Sequence, residues 1–494
     1  MSSIDPLIRR HHLTLTPDPR RVLLRPFIPS LVVKPDARPE PSPRILSLFA
    51  RIMTLDDAEV RQKLDEVLAE FHERHDDIRR IFQNRFTQIE PLLPTDRPLN
   101  EDRRLLIGSY FTNEYSFESI ALFNPSIVPA PEAKSIDSTC PFILSLRATG
   151  EGHVSSITFR TGTVHLDGTI HVDPASRIVH SPQLIPAAQY DLAIFRRKMR
   201  ELGLDQEIVR AATEGLTDRF VMEDLERCVK HLRSRGADAA VIQAGERALV
   251  LAQANYTVRF AENTPISNRI LFPYAPTEMN GIEDARFVRF TDEDGFRYYA
   301  TYTAYDGSVV LPQMLETRDF LEFSICTLNG PAIKNKGLAL FPRRIHGQFV
   351  MLGRQDSENI HIMFSDHLHF WHESEILLRP SQPWEFVQLG NCGSPLETSE
   401  GWLVLTHGVG SMRKYSIGAA LLDLDNPRRV IKRLKDPLLR PAPEEREGYV
   451  PNVVYSCGGM IHGENLILPY AISDTASRFA TVRVNDLLEA MTPI

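Results

Sequence analysis

From Thr54 onward, Val60, Leu64, Val67, Leu68, Phe71, Ile78, Ile81, Phe82 and Phe86 recur at helical spacing, which gathers apolar side chains on one face. Thr54, with Asp57 three positions on, offers a cap. The pattern predicts a long amphipathic helix within a helical segment spanning 46–110. The period then changes: 140–173 reads as strands, in FILSLRATG, VSSITFRTGTVHL and GTIHV, divided by glycine-bearing turns. A second helical segment, 186–253, follows. It contains YDLAIFRRKMRELG and closes on the alanine-rich ADAAVIQAGERALVLAQA, which predicts one helix.

Beyond residue 255 the chain is almost entirely short alternating runs, among them RFVRF, RYYATYTAY, NIHIMFS and GWLVLTHG. Turn pairs separate them: Asp294-Gly295, Asp306-Gly307, Asn329-Gly330, His346-Gly347 and His462-Gly463. The chain is therefore mainly β. Its density of short strands fits a sandwich, a barrel or a propeller, and no strict repeat chooses among them. Residues 1–45 are proline-rich and basic, an extended arm with one short strand.

At 494 residues the chain exceeds one compact core and predicts two or three lobes. A hydrophobic share of 43% and a charged share of 24% are those of an ordinary globular protein. The net charge of −8, with no Lys/Arg-rich block, leaves no footprint for nucleic acid. Five widely spaced cysteines without a C-x-x-C point to a reducing compartment. No apolar run reaches the length of a membrane span and the N-terminus has no secretory h-region, so the expected location is cytoplasmic.

Three tempting motifs fail. IHIMFSDHLHFWHE supplies four histidines, but alternates like strands and has no zincin spacing, so no metal is expected. TDEDGF lacks the downstream ligands of a calcium loop. HGVGSMRKYSIG has no strand–GxGxxG–helix context.

What remains is a set of polar residues at strand ends: Glu283, Asp284, Arg286, Lys336, Arg354, Asn391, His407, Tyr415, Glu447 and Asp474. Singly, each reads as a solvated edge. Together they suit a polyhydroxylated, partly anionic ligand, because carboxylates accept sugar hydroxyls while Arg, Lys and His hold phosphate. Glu283 and Asp284 are adjacent, and adjacent strand residues face opposite ways. One is thus expected in the pocket and the other outside it, as a partner for Arg286.

The stretches NGIEDARF, YYATYTAYDG, KNKGLALFPRRI, WEFVQLGNCGSPLETSEGWLVLTHGVG, YSIGAALLDLDNP and EGYVPNVVYSCG together resemble glycoside hydrolase family 130. That family contains β-mannoside phosphorylases and some hydrolases. The resemblance covers 255–490 in order, and FILSLRATGEG resembles the opening blade of the longer members, which act on β-1,2-linked mannosides.

The resemblance implies a five-bladed β-propeller with helical N-terminal and inserted segments. Its first-blade strands would lie in 111–185 and the catalytic remainder in 254–494. Asp284 would be the proton donor, acting through a hydroxyl of the bound mannose, although Ala285 stands where many members carry proline. Lys336, His407 and Tyr415 match phosphate-holding positions, with Arg318 and Arg354 as further candidates. Glu447 and Asp474 match positions that contact sugar hydroxyls, and Arg269 is a candidate contact to the bound mannose.

No cofactor is implied, because inorganic phosphate is a co-substrate that replaces the base an inverting hydrolase needs. The expected reaction is phosphorolysis of β-mannosides, with β-1,2-mannobiose or oligomannan as the expected substrate, to α-mannose 1-phosphate. For Asp284 to donate a proton near neutrality, its pKa is expected to be raised. The competing readings are an inverting β-mannosidase with Glu447 or Asp474 as base, and a non-catalytic glycan- or protein-binding propeller. The helical segments are candidates for a subunit interface.

Overall fold

A computed structural model describes residues 7–29, 41–133, 138–185, 189–307 and 309–494. Residues 30–40 of the expected N-terminal arm lie outside the described residues. The chain divides into two compact units.

The smaller unit comprises Pro19–Phe117 and Ser176–His180. It holds four helices, Pro43–Thr54, Asp57–Phe71, Ile78–Ile89 and Glu101–Tyr110, beside a ribbon of Val22–Pro26 paired with Thr112–Ser116. The single long helix expected from periodicity is therefore interrupted. Asp56 starts one piece, accepting from the Ala58 and Glu59 backbone while Glu59 reaches back to the Asp56 N–H. The stretch HERHDD carries no apolar anchor, and Asp77 takes a left-handed φ of 58° before the next helix begins. Ile45, Phe49, Leu64, Phe82, Phe86 and Leu106 form the shared core. Arg103 donates to the Ile52 and Leu55 carbonyls, closing the otherwise open end of the first helix.

The larger unit comprises Met1–Asp18, Glu118–Ala175 and Ser181–Ile494. Its longest sheet has eleven strands but is bridged in the middle by one parallel pair, Gly281 with Ser155, and so divides into two. The first sheet is built on Ala121–Pro129, Thr139–Thr149 and Ser155–His165. The second is built on Gly281–Asp292, Gly295–Tyr305, Val310–Thr317 and Glu322–Thr327. Phe349–Gly353 and Ile360–Ser365 centre a third; Gln388–Asn391, Gly401–Val409 and Tyr415–Leu422 a fourth. Val454–Tyr455, Asn465–Ile472 and Ala476–Arg483 form the fifth.

Each sheet touches the next in chain order. Thr291 bridges Arg343, the Leu389 N–H donates to the Glu358 carbonyl, and the Tyr415 N–H donates to the Asn452 carbonyl. The fifth then meets the first, where the Leu122 N–H donates to the Thr475 carbonyl and the Cys457 N–H to the Pro125 carbonyl. The strand Arg9–Leu15 completes the fifth sheet by pairing with Ala476–Arg483. The pattern RRHHLTL hides this strand, because its side chains are half-exposed and little apolar alternation survives.

The inserted helices Leu192–Glu201, Gln206–Ala212, Met222–Ser234 and Ala239–Gln253 have their own core around Phe195, Met199, Leu225 and Ala248. They dock on the second sheet's far end, where Lys198 donates to the Leu328 carbonyl and Glu201 accepts from the Gly330 N–H. No helix among the described residues is long and apolar enough to cross a membrane.

Candidate active site

The strand Gly281–Asp292 slips register against its neighbour between Glu283 and Arg286, and Asp284 there adopts a left-handed φ of 55°. Such a bulge breaks strict alternation and re-aims a side chain. Glu283 and Asp284 consequently reach the same guanidinium. Arg147 Nη2 lies 2.7 Å from Glu283 Oε1 and Arg147 Nη1 lies 3.2 Å from Asp284 Oδ1. This corrects the expectation that Glu283 faces away as the partner of Arg286.

A second bulge faces the first. The strand Ala121–Pro129 slips between Phe123 and Ser126, with Asn124 at φ 48°. Its side-chain nitrogen donates to Asp284 Oδ1 at 2.7 Å. Two strained positions thus hold one carboxylate, the kind of local cost that accumulates at functional sites.

The Asp284 carboxyl is held below its ordinary value. Burial pushes it up, but Arg147, Lys336, the Asn124 hydrogen bond and Arg286 together outweigh that push. The expected upward shift is therefore absent in the free protein, and the cationic surroundings are the reason. Asp474 behaves oppositely. It sits at φ 51° in the turn between Asn465–Ile472 and Ala476–Arg483. Burial and the nearby Asp284 raise it to about 6, against opposition from Arg147 and Arg413.

Beside the acid stands a wall of buried and half-buried polar groups. Arg286 Nη2 donates to the Tyr455 hydroxyl at 2.6 Å, and Arg354 Nη1 lies 3.4 Å from His407 Nε2. The His407 ring is tilted against Tyr455 at 4.8 Å and stacks on Tyr415 at 6.1 Å. Gly390 permits this, since a Cβ there would lie 2.4 Å from the imidazole. Burial, Arg354 and Arg286 lower the His407 pKa well below the usual imidazole range, so the ring is a neutral member of the wall. Asn391 is buried close by in sequence to Gly390.

Several donors and acceptors here are unfilled: the Nε atoms of Arg286 and Arg354, and the Oδ1 atoms of Asn391 and Asn124, have no partner among the described residues. Buried polar atoms are ordinarily satisfied, so this set is complementary to a polar ligand. Lys336 is half-exposed, 3.8 Å from Glu283 Oε2, at the edge of the same group.

Other candidates lie elsewhere. Arg318 is 65% exposed and faces Asp294 at 3.8 Å, on the hairpin turn remote from Asp284's end of the strand. Its direction along the strand, invisible in ETRDF, removes it from the anion wall. Arg269 is buried with Nε, Nη1 and Nη2 donating to the carbonyls of Thr264 and Phe320. It staples a loop with three of its five N–H groups. Glu447 is exposed, next to Gly448, which packs on the Asp474 turn.

Arg147, Asn124 and Tyr455 were not anticipated. Arg147 had a signal, a lone charge on an otherwise apolar strand in FILSLRATG. Asn124 and Tyr455 had none, since both act through contacts more than a hundred residues away. Among the described residues no cluster of His, Cys, Asp or Glu could hold a metal ion. His361 instead pairs with Asp356 at 3.0 Å, and His369 lies 3.3 Å from the Cys326 sulfur.

Comparison with known proteins follows the same residues. Positions 251–493 match the family Glyco_hydro_130, described as beta-1,4-mannooligosaccharide phosphorylase. A 1,2-beta-oligomannan phosphorylase of Thermoanaerobacter sp. is 35% identical over 218 residues, 42% of this chain and 71% of that protein. A beta-1,2-mannobiose phosphorylase of Listeria innocua is 30% identical over 236 residues, 45% of this chain and 63% of that protein. The solved β-1,2-mannobiose complex of a Listeria innocua phosphorylase aligns with a TM-score of 0.45 and 21% identity, covering 75% of this chain and 92% of that one.

Proposed function

The chain belongs to glycoside hydrolase family 130, and from that premise we propose that it is an inverting β-mannoside phosphorylase acting on β-1,2-linked mannobiose or oligomannan. The observation that carries this reading is one carboxylate, Asp284, set beside buried Arg286 and His407 and half-buried Arg354 and Tyr415, with both guanidinium Nε atoms unfilled. A phosphate dianion fits such donors, because guanidinium groups bind oxyanions through paired charge-assisted hydrogen bonds.

The five-bladed propeller also belongs to this reading. It is supported by five sheets that touch in cyclic chain order, with an N-terminal strand completing the last. Arg147, Asp284 and His407 lie in strands of the first, second and fourth sheets, and Arg354 and Asp474 follow closely on strands of the third and fifth.

In the proposed reaction phosphate attacks the anomeric carbon from the face opposite the leaving oxygen, and inversion gives α-mannose 1-phosphate. Asp284 supplies the proton to the leaving sugar through a mannose hydroxyl. In the free protein Asp284 is held ionised by its cationic neighbours. A bound dianion offsets those positive charges, which weakens their hold on the carboxylate and raises its pKa toward the value a donor needs. In this reading Asp474 and Glu283 accept sugar hydroxyls. Inorganic phosphate needs no general base, whereas hydrolysis would, and a dense cationic wall is what water activation does not require.

Proton NMR of a reaction with β-1,2-mannobiose and phosphate tests the stereochemistry. Initial formation of the α-anomer of mannose 1-phosphate is expected; the β-anomer, or free mannose alone, contradicts the proposal.

A further inference from the structure

The loop between Thr139–Thr149 and Ser155–His165 places Gly152 at φ 70° and His153 at φ 61°. The second is a disfavoured conformation for a residue with a side chain. It delivers an exposed imidazole onto an equally exposed tyrosine. The His153 and Tyr449 rings stack with centroids 5.7 Å apart and planes 29° from parallel. The Tyr449 hydroxyl lies 3.1 Å from His153 Nδ1. Tyr449 remains 56% exposed, so the pair adds little to any core.

The pair is nevertheless fixed to the pocket. The Tyr449 N–H donates to Thr475 Oγ1 at 2.9 Å. Gly448 packs so tightly on the same turn that a Cβ would lie 2.6 Å from the Ser473 carbonyl. Ser473 and Thr475 flank Asp474. The two rings therefore ride on the turn that bears Asp474 and on the loop that leaves the strand of Arg147.

We infer that His153 and Tyr449 form a stacking platform for a sugar ring on the leaving-group side of the cleavage point, so that chains longer than a disaccharide are favoured. This rests on the β-mannoside phosphorylase reading. Asp284, Arg286 and His407 are at the buried floor, where the transferred mannosyl unit must meet acid and phosphate. Later sugars therefore run outward, past residues whose exposure rises. A pyranose offers a C–H face to an aromatic ring and hydroxyls to its polar edge, and an amphipathic ring held at a wet rim suits both. The hydrogen bond to His153 fixes the tyrosine ring in advance, which lowers the cost of ordering it on binding.

The test compares β-1,2-mannobiose with β-1,2-mannotetraose in the wild type, Tyr449→Ala, His153→Ala and Tyr449→Phe. Both sugars are also titrated calorimetrically into the phosphate-free protein. In Tyr449→Ala the KM and Kd for the tetraose rise roughly tenfold, as loss of one aromatic contact implies. The kcat, the KM for phosphate and the constants for mannobiose move less than about twofold, and Tyr449→Phe retains most of the tetraose affinity. Equal changes for the two sugars, or none, overturn the platform. A wild type that binds the tetraose but shows no phosphorolysis refutes the proposed function alone, and the calorimetric comparison still decides the platform.

Discussion

Arg147 spans two carboxylates that are neighbours in sequence, 2.7 Å from Glu283 and 3.2 Å from Asp284. Only the bulge at Asp284 allows one guanidinium to face both. Replacing it by Met leaves two buried carboxylates opposed. Breaking a buried ion pair from one side costs about 3–5 kcal/mol. Asp284, now held low by Arg147, contributes stability that is present above its unfolded pKa and lost as pH falls through its folded one. The melting-temperature gap between wild type and Arg147→Met is therefore expected to be wide at pH 7 and to close toward pH 3. A pH-independent gap contradicts this account.

Asp474 runs the other way. Its folded pKa of about 6 lies above the ordinary 3.8, so the folded state holds an extra proton between those values. Its contribution is fully present below about pH 4 and is lost as pH rises through about 6. Asp474→Asn is expected to be relatively more stable at pH 7 than at pH 4, measured against wild type by thermal melts at both. The reverse ordering places the raised pKa on another group.

His407 is expected to stay neutral in the free protein at pH 7, since burial, Arg354 and Arg286 all disfavour its charge. Imidazole carbon shifts in protein with labelled histidine report this directly. A His407 titration midpoint between 6 and 7 contradicts it.

The two arginines proposed for phosphate from sequence now separate. Arg354→Ala removes a half-buried donor beside His407 and is expected to raise the KM for phosphate at least tenfold, on the order of the 1.4 kcal/mol that corresponds to one decade. Arg318→Ala, 65% exposed and facing Asp294, is expected to leave it within twofold. Steady-state kinetics at saturating mannobiose distinguishes them.

What the sequence made legible was whatever local pattern controls. The strands of the second sheet follow their turn pairs, Asp294-Gly295 and Asp306-Gly307, and the helix Ala239–Gln253 follows its alanine-rich run. Asp284 was legible through its motif. Its side-chain direction was not, because a bulge cancels the period-two rule at the position where the rule was applied. Charge near a turn also does not say which end of a hairpin it occupies, so Arg318 and Arg354 look alike in sequence. Arg269 appeared free in SNRILFP only because its partners are backbone carbonyls, which carry no sequence signature. Asn124 and Tyr455 reach the site across sheet boundaries, a placement that follows from tertiary closure alone.

The most direct measurement is release of mannose 1-phosphate from β-1,2-mannobiose with and without inorganic phosphate, in wild type and Asp284→Asn. Strictly phosphate-dependent release in the wild type, reduced at least a thousandfold in the variant as expected for loss of an essential acid together with its charge, is the predicted result. Equal release of free mannose without phosphate, or an Asp284→Asn variant of undiminished activity, contradicts the account.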